Sequence, residues 1–374
     1  MPSSKGIERS VNVPDNETMI LENGPHRLDI PATYADLDPT NIGRRFLSLP
    51  SQVEAGWELG AIFGDADPIN QVSRVLVVGM GGSGIGTELV RGLTDHHRDD
   101  LEVVSWRQYQ LPPWAARDTL VVAVSVSGNT AETNAAFQEA CELGVPTIAI
   151  SGAGRLRAAA AGSSVLCAEI EWDHEPRAAL GYTFLTLYRA LQELGLAHSI
   201  SDDVAPAVSE LSDVASQLAP EISVSENVAK QIAMELDGRY PLIASVQPLL
   251  GVAARWKSQI NENADCWAAW DQIPEMKHNT VQGIFQAANW PAQPFVVALK
   301  PEECDDFAAE DIDRILEELS ANHVQNLLLD INGPNALGRL LVGSLLGDMV
   351  SYYLAILRDR NPSSTESLNR VKIG

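Results

Sequence analysis

Two turns in this chain combine glycine with hydroxyl side chains in a way that could cradle a phosphate. Gly79-Met80-Gly81-Gly82-Ser83-Gly84 follows the apolar run Arg74–Val78. Ser125-Val126-Ser127-Gly128-Asn129-Thr130 follows Thr119–Val124 and leads into a helical pattern over 131–143. A helix start leaves backbone N–H groups unpaired and partly positive, so it can hold an anion without a lysine. Ser and Thr hydroxyls would add donors aimed at the same point, and Gly128 would let the backbone come close. Gly81, Gly82 and Ser83 read as a loop that lets the backbone approach a sugar or its phosphate. Ser, Asn and Thr also cap helices routinely, and taken alone an ordinary capped helix accounts for the second turn. The first turn satisfies GxGxxG through Gly79, Gly81 and Gly84. The acid that a dinucleotide site wants about 20 residues later, at the end of a second strand, is poorly matched, because Glu102 opens that strand. No GK[ST] occurs, which removes a Walker loop.

Four more residues have types suited to moving protons or balancing charge. Glu262 stands between Asn261 and Asn263 near the end of a predicted helix, where flanking amides could hold a carboxylate in one geometry; alone, it reads as a solvated helix-end glutamate. His278, one of seven histidines, sits in a turn from Pro274 to Asn279. Alone it reads as a satisfied surface or core residue. Arg177 follows Pro176 and opens an apolar helix, where its charge opposes the helix dipole, a modest hint of use. Lys372 is one of only six lysines, close to the end of the chain, where a lysine is ordinarily a solvated charge. His96, His97 and His174 read as solvated or loop residues. No HExxH, GxSxG or clustered His/Cys/Asp set occurs, so neither a metal ligand set nor a cofactor is expected.

The elements that must position these residues alternate. Arg74–Val78, Leu101–Val104, Thr119–Val124, Val145–Ile150 and Ser164–Ala168 read as strands, and 131–143 and 178–195 as helices. The pattern restarts after a Ser-, Asp-, Ala- and Pro-rich stretch over 199–222. Tyr240–Ser245, Phe295–Leu299 and Val324–Asp330 are expected strands, and Gly251–Glu262, Ala309–Ser320 and Leu337–Arg358 expected helices. Residues 40–63 read as helical with Asn41 as a cap. Short links between alternating strands and helices predict parallel sheets flanked by helices on both faces, an α/β class with two doubly wound domains. The expected division is an extension over 1–40, a first domain over 41–198 and a second over 199–374.

The 374 residues carry 26 basic and 50 acidic side chains, a net charge of −24. Such a surface repels nucleic acid and anionic lipid, so neither is an expected partner, and any phosphate site must be built from local donors. The four cysteines show no CxxC spacing and suit a reducing compartment. The N-terminus lacks the pattern of a secretory signal. No apolar stretch reaches the roughly 18 residues needed to cross a bilayer, and a cytoplasmic location is expected.

GMGGSG after one strand and SVSGNT after another resemble the sugar isomerase (SIS) domain. Glu175-Pro-Arg-Ala-Ala-Leu-Gly-Tyr, Lys257-Ser-Gln-Ile-Asn-Glu-Asn-Ala with Pro274-Glu-Met-Lys-His-Asn, and the tail from Gly347 to Lys372 narrow this further. Together they resemble the bifunctional phosphoglucose/phosphomannose isomerases of archaea and bacteria, from about residue 45 onward. The resemblance implies two SIS-type domains with a site between them at the C-terminal ends of strands. It implies metal-independent aldose–ketose isomerisation of glucose 6-phosphate and mannose 6-phosphate to fructose 6-phosphate. By the same resemblance Ser83, Ser125, Ser127 and Thr130 would contact phosphate or nearby sugar oxygens, and Arg177 would sit over the reacting carbons. Glu262 would be the proton-shuttling base. His278 would open and close the sugar ring, arriving from the neighbouring subunit of a homodimer. Lys372 would contact the sugar, and Thr365 matches a position associated with accepting both epimers.

Such a reaction moves a proton between carbons 1 and 2 through an enediolate. It needs a base that returns what it takes, and donors for the developing oxyanion. Departures from the family pattern, Glu175, Asn361-Pro362 and Asp265-Cys266-Trp267 with Trp270, put substrate range in question. A non-catalytic phosphosugar-binding regulator and an isomerase of a different phosphosugar therefore stay open, with a dinucleotide-dependent dehydrogenase the weakest rival.

Overall fold

The computed structural model describes residues 7–12, 26–65, 72–97, 101–284 and 290–372. The chain divides into two compact units, residues 1–47 with 209–374, and residues 48–208. The boundaries expected at 40/41 and 198/199 therefore fall at 47/48 and 208/209. The described part of the expected N-terminal extension belongs to the C-terminal unit, because its strand joins that unit's sheet.

Along the chain come β1 (Ile7–Asn12), α1 (Pro31–Leu37) and α2 (Ile42–Leu47). Asn41 does not cap α2. The Asp38 carboxylate accepts from the amides of Ile42 and Gly43 at 2.9 and 3.1 Å instead, an acid at a helix start as the dipole prefers.

The 48–208 unit comprises α3 (Leu49–Gly60), β2 (Arg74–Val78), α4 (Gly81–His97), β3 (Glu102–Trp106), β4 (Thr119–Ser125), α5 (Ala131–Leu143), β5 (Thr147–Ser151), α6 (Arg155–Gly162), β6 (Cys167–Glu169) and α7 (Leu180–Glu193). Its sheet is parallel throughout, in the order β3-β2-β4-β5-β6. Central β4 is buried along its whole length, as its unbroken apolar run requires when helices cover both faces. On one face Leu76, Val78, Val121 and Ala123 meet Ala136 and Phe137 of α5 and Leu156 and Ala160 of α6. Against the sheet also pack α4 and α7, with α3 laid on α7. The expected loop Gly81–Ser83 is already the first turn of α4.

The unit boundary falls inside α8 (Ser201–Gln217), followed by α9 (Val228–Leu236), β7 (Tyr240–Ser245), α10 (Leu250–Ala264), β8 (Ala269–Gln272), α11 (Thr280–Ile284), β9 (Pro294–Pro301), α12 (Asp306–Ala321), β10 (Gln325–Ile331), α13 (Ala336–Leu357) and α14 (Glu366–Lys372). The second sheet runs β8-β7-β9-β10-β1. It repeats the first sheet's order, with one exchange: β1 occupies the fifth place and runs antiparallel to β10. Leu242, Ala244, Val296 and Ala298 form one core layer with Ile312, Ile315, Leu316 and Leu319 of α12; α10, α13 and α9 pack together in the same unit.

One sequence expectation fails at α13. This 22-residue helix is long and apolar enough to cross a membrane, with a mean hydropathy of 1.7, but 94% of that stretch is buried inside the fold. It is mostly apolar because it is enclosed by protein, and the few polar side chains on it, Asp348 and Ser351 among them, are buried too.

Candidate functional site

The strand order 2-1-3-4-5 reverses direction between its first and third strands, and the crevice at that switch point is where such sheets take ligands. In the 48–208 unit this lies between β2 and β4, and both glycine-hydroxyl turns leave the sheet there.

The two turns are tied to each other. Ser83, 5% exposed, accepts at its Oγ from the Val126 amide at 3.1 Å. Ser125 is fully buried and its Oγ lies 3.0 Å from Thr130 Oγ1. Thr130 is the N-cap residue of α5, yet its side chain makes no capping bond. The ordinary capped-helix reading therefore does not hold: the first-turn amides of α5, unpaired within the helix, are left for another oxygen. Ser127 is exposed, with its Oγ accepting from the Asn129 amide at 3.2 Å, and Thr130 is half-buried. Ser127, Thr130 and the α5 amides are thus the accessible donors, while Ser83 and Ser125 brace the turns.

The turn is braced from behind as well. Asn134 Nδ2 donates to the carbonyls of Gly128 and Thr130 at 3.2 and 2.8 Å, and the Arg155 guanidinium donates to the Asn129 carbonyl at 3.1 Å. Gly128 has φ of +66°, and an added Cβ would lie 1.8 Å from the Ala153 carbonyl oxygen. Its glycine is demanded by the neighbouring loop, not by a ligand's approach, which corrects the sequence reading. Gly82 has a similar cause: an added Cβ would lie 2.6 Å from both the amide nitrogen and the Cα of Arg177. The missing side chain lets the Arg177 backbone lie directly on the start of α4.

Arg177 itself lies in a 3-10 turn, Pro176–Ala178, ahead of α7, and is 5% exposed. It is therefore a buried cation at the carboxyl edge of the sheet, and the apolar helix starts after it, at Leu180. The structure brings Gly82, Ser83, Ser125, Ser127, Thr130 and Arg177 to one end of one sheet.

In the other unit Glu262 is half-buried in the last turn of α10. Its flanking amides anchor that turn. Asn263 Nδ2 donates to Ser351 Oγ at 2.9 Å, and Asn261 Oδ1 accepts from the Ala268 amide at 2.8 Å, at the entry to β8. His278 is exposed and ends a 3-10 turn, Glu275–His278, beyond the exit of β8. Met276 of that turn is fully buried, and Lys277 Nζ meets the Asp311 carboxylate at 2.6 Å, so the turn is fixed to the α12 side. Glu262 and His278 thus stand at opposite ends of β8, whose four residues span about 13 Å.

The tail joins the Glu262 end. Arg360, just after α13, reaches Asp265, just after α10, at 3.7 Å. Thr365 accepts from the Asn369 amide at the start of α14 and Lys372 ends that helix, roughly 10 Å further along an exposed seven-residue element. The expectation that these groups stand at the carboxyl ends of strands fails here, since α10 returns Glu262 to the amino edge of its sheet. Sequence reading did not anticipate the contributions of Asn134 or Ser351; the only signal at Ser351 is a polar residue in a mostly apolar helix.

Residues 225–373 match the model of the bacterial phospho-glucose isomerase C-terminal SIS domain. The chain is 30% identical over 331 residues to the bifunctional phosphoglucose/phosphomannose isomerase of Caldicellulosiruptor bescii, covering 87% of this chain and 96% of that protein. It is 32% identical over 229 residues to the D-glucosamine-6-phosphate 4-epimerase of Sulfolobus acidocaldarius, covering 59% of this chain and 67% of that one. A crystal structure of a hypothetical protein from Thermus thermophilus has the same fold, with a TM-score of 0.69 at 17% identity over 91% of each chain.

Proposed function

Because the chain belongs to the bifunctional phosphoglucose/phosphomannose isomerase family, we propose that it interconverts glucose 6-phosphate and mannose 6-phosphate with fructose 6-phosphate through an enediolate, without a metal. The observation that carries this reading is the braced double turn at the β2/β4 switch point. There an uncapped helix start, Ser127 and Thr130 come together, and at the same end of the sheet the backbone of the buried Arg177 lies against Gly82. A phosphate dianion would be held by those hydroxyls and amides, whose dipoles are already oriented. Arg177 would stabilise the enediolate oxygens. Glu262 would carry the proton between carbons 1 and 2, its helix end held still by Asn261 and Asn263. Lys372 and Thr365 would contact the sugar.

Ring opening is assigned to His278. Its placement across β8 from Glu262 supports a homodimer in which each His278 serves the other copy's Glu262. A cytoplasmic location belongs to the same reading.

A coupled assay with fructose 6-phosphate and EDTA, following both aldose phosphates separately, tests the proposal. Formation of both is expected. No product, despite a melting temperature raised by the phosphosugar, would instead favour a binding protein. The similarity to a 4-epimerase favours one second reading, epimerisation of an amino sugar phosphate, which turnover of D-glucosamine 6-phosphate in place of fructose 6-phosphate would support.

A further inference from the structure

Helices α10 and α13 meet along a seam that is not purely apolar. On α10, Arg255, Gln259 and Asn263 recur every four residues. Arg255 donates to Asp348 Oδ2 at 2.7 Å, Gln259 Nε2 to Asp348 Oδ1 at 2.8 Å, and Asn263 Nδ2 to Ser351 Oγ at 2.9 Å. Ser351 Oγ donates in turn to the Asp348 carbonyl at 2.7 Å. Alongside, Trp256 Nε1 donates to the Gly343 carbonyl at 2.8 Å, and the indole lies where a Cβ on Gly347 would be, 2.2 Å from that position. All of these side chains are at most 2% exposed. Burial pushes the Asp348 carboxyl up from the usual range, while the Arg255 guanidinium and the Gln259 amide pull it back.

Apolar contact is non-directional, so a greasy seam alone would let a helix rotate or slide at small cost. A buried ion pair admits one register only, since any other leaves a charge without a partner in low dielectric. Glu262 is seven residues beyond Arg255, so it projects within about 20° of the same face. Whatever fixes the rotation of this face fixes the direction of the Glu262 side chain.

We propose that Asp348 and Ser351 are positioning residues for Glu262, setting the rotation and register of α10 through Arg255, Gln259 and Asn263. The inference rests on the reading of Glu262 as the base. Asp348→Asn leaves Arg255 buried beside a neutral group and can fail to fold, so Ser351→Ala is the working variant. Its expected effect is about a tenfold loss of kcat with KM within about twofold, because misplacement penalises the transition state more than binding. Asn263→Ala should match it, and the double variant should lose no more than either single one. Ile260→Val, buried in α10 but outside the polar row, is the control: a comparable fall in Tm with kcat unchanged. A Ser351→Ala enzyme that keeps full kcat, or loses it only as Ile260→Val does at equal Tm, overturns the proposal. Glu262→Gln separates the two layers. If that variant still turns over, the base assignment fails; if it is dead while Ser351→Ala is fully active, only the positioning role fails.

Discussion

Between β2 and β4, at the switch point of the first sheet, the chain presents Ser127, Thr130 and an uncapped helix start. Between β7 and β9, the same place in the second sheet, it presents Glu302, Glu303, Asp305 and Asp306 after one strand, and buried Val246 and Leu249 after the other. Asp305 fills the helix start itself, its carboxylate accepting from the Ala308 amide at 3.0 Å. Glu303 is held by Arg339 at 3.0 Å. One strand order therefore makes two crevices with different linings, hydroxyls and an uncapped helix start in the first and carboxylates in the second, and the second would repel the phosphate proposed for the first. Topology supplies the crevice; the side chains after the strands decide what enters it. In the second unit, the residues proposed for proton transfer lie away from the switch point: Glu262 is at the amino edge of the sheet and His278 beyond the exit of β8.

The largest effect should come from separating those two residues. Glu262→Gln and His278→Ala should each lose activity, Glu262→Gln by about 10³-fold. Mixed and reassembled, the two inactive proteins should regain about a quarter of wild-type activity, because half the dimers are hybrids with one intact site. No recovery in verified hybrids would place both groups in one chain's site. Next, Ser127→Ala with Thr130→Ala should raise KM for the phosphosugar by about tenfold or more, the loss of hydrogen bonds to a charged group; steady-state kinetics showing an unchanged KM would move the phosphate elsewhere. Gly128→Ala should cost about 2 kcal/mol or more of stability by urea unfolding, since both the positive φ and the Ala153 carbonyl oppose a side chain. Smallest of all, Glu302→Gln at the acidic crevice should leave KM within about twofold. A tenfold fall would show that the second switch point takes part in binding.

Much of the fold was legible where burial writes an unbroken signal. The observed bounds of β2, β7 and α5 coincide with the apolar runs and the helical period that announce them. What stayed hidden lacks such a signal. β1 (IERSVN) is a polar edge strand whose partner lies more than 300 residues away, and β8 (AWDQ) is a short edge strand. Trp267 and Trp270 flank and occupy that edge, 67% and 41% exposed. At the site, the hydroxyl residues announced themselves as a turn after a strand. The spacing did not show which hydroxyls brace and which face outward, nor that Gly82 and Gly128 serve backbone neighbours. Those facts come from contacts between segments distant in sequence, and so do the depth of Arg177 and the hydrogen bond from Asn263 to Ser351.

The proposed division of labour, phosphate binding by the hydroxyl turns and proton transfer by Glu262, is tested most directly by one variant, Glu262→Gln, titrated with fructose 6-phosphate by calorimetry and assayed for turnover in the same buffer. The account predicts a Kd within about threefold of the wild-type value together with loss of turnover by about 10³-fold, since binding is assigned chiefly to the hydroxyl turns and proton transfer to the carboxylate. Near-wild-type turnover, or loss of binding with a fold shown intact by circular dichroism, would contradict it.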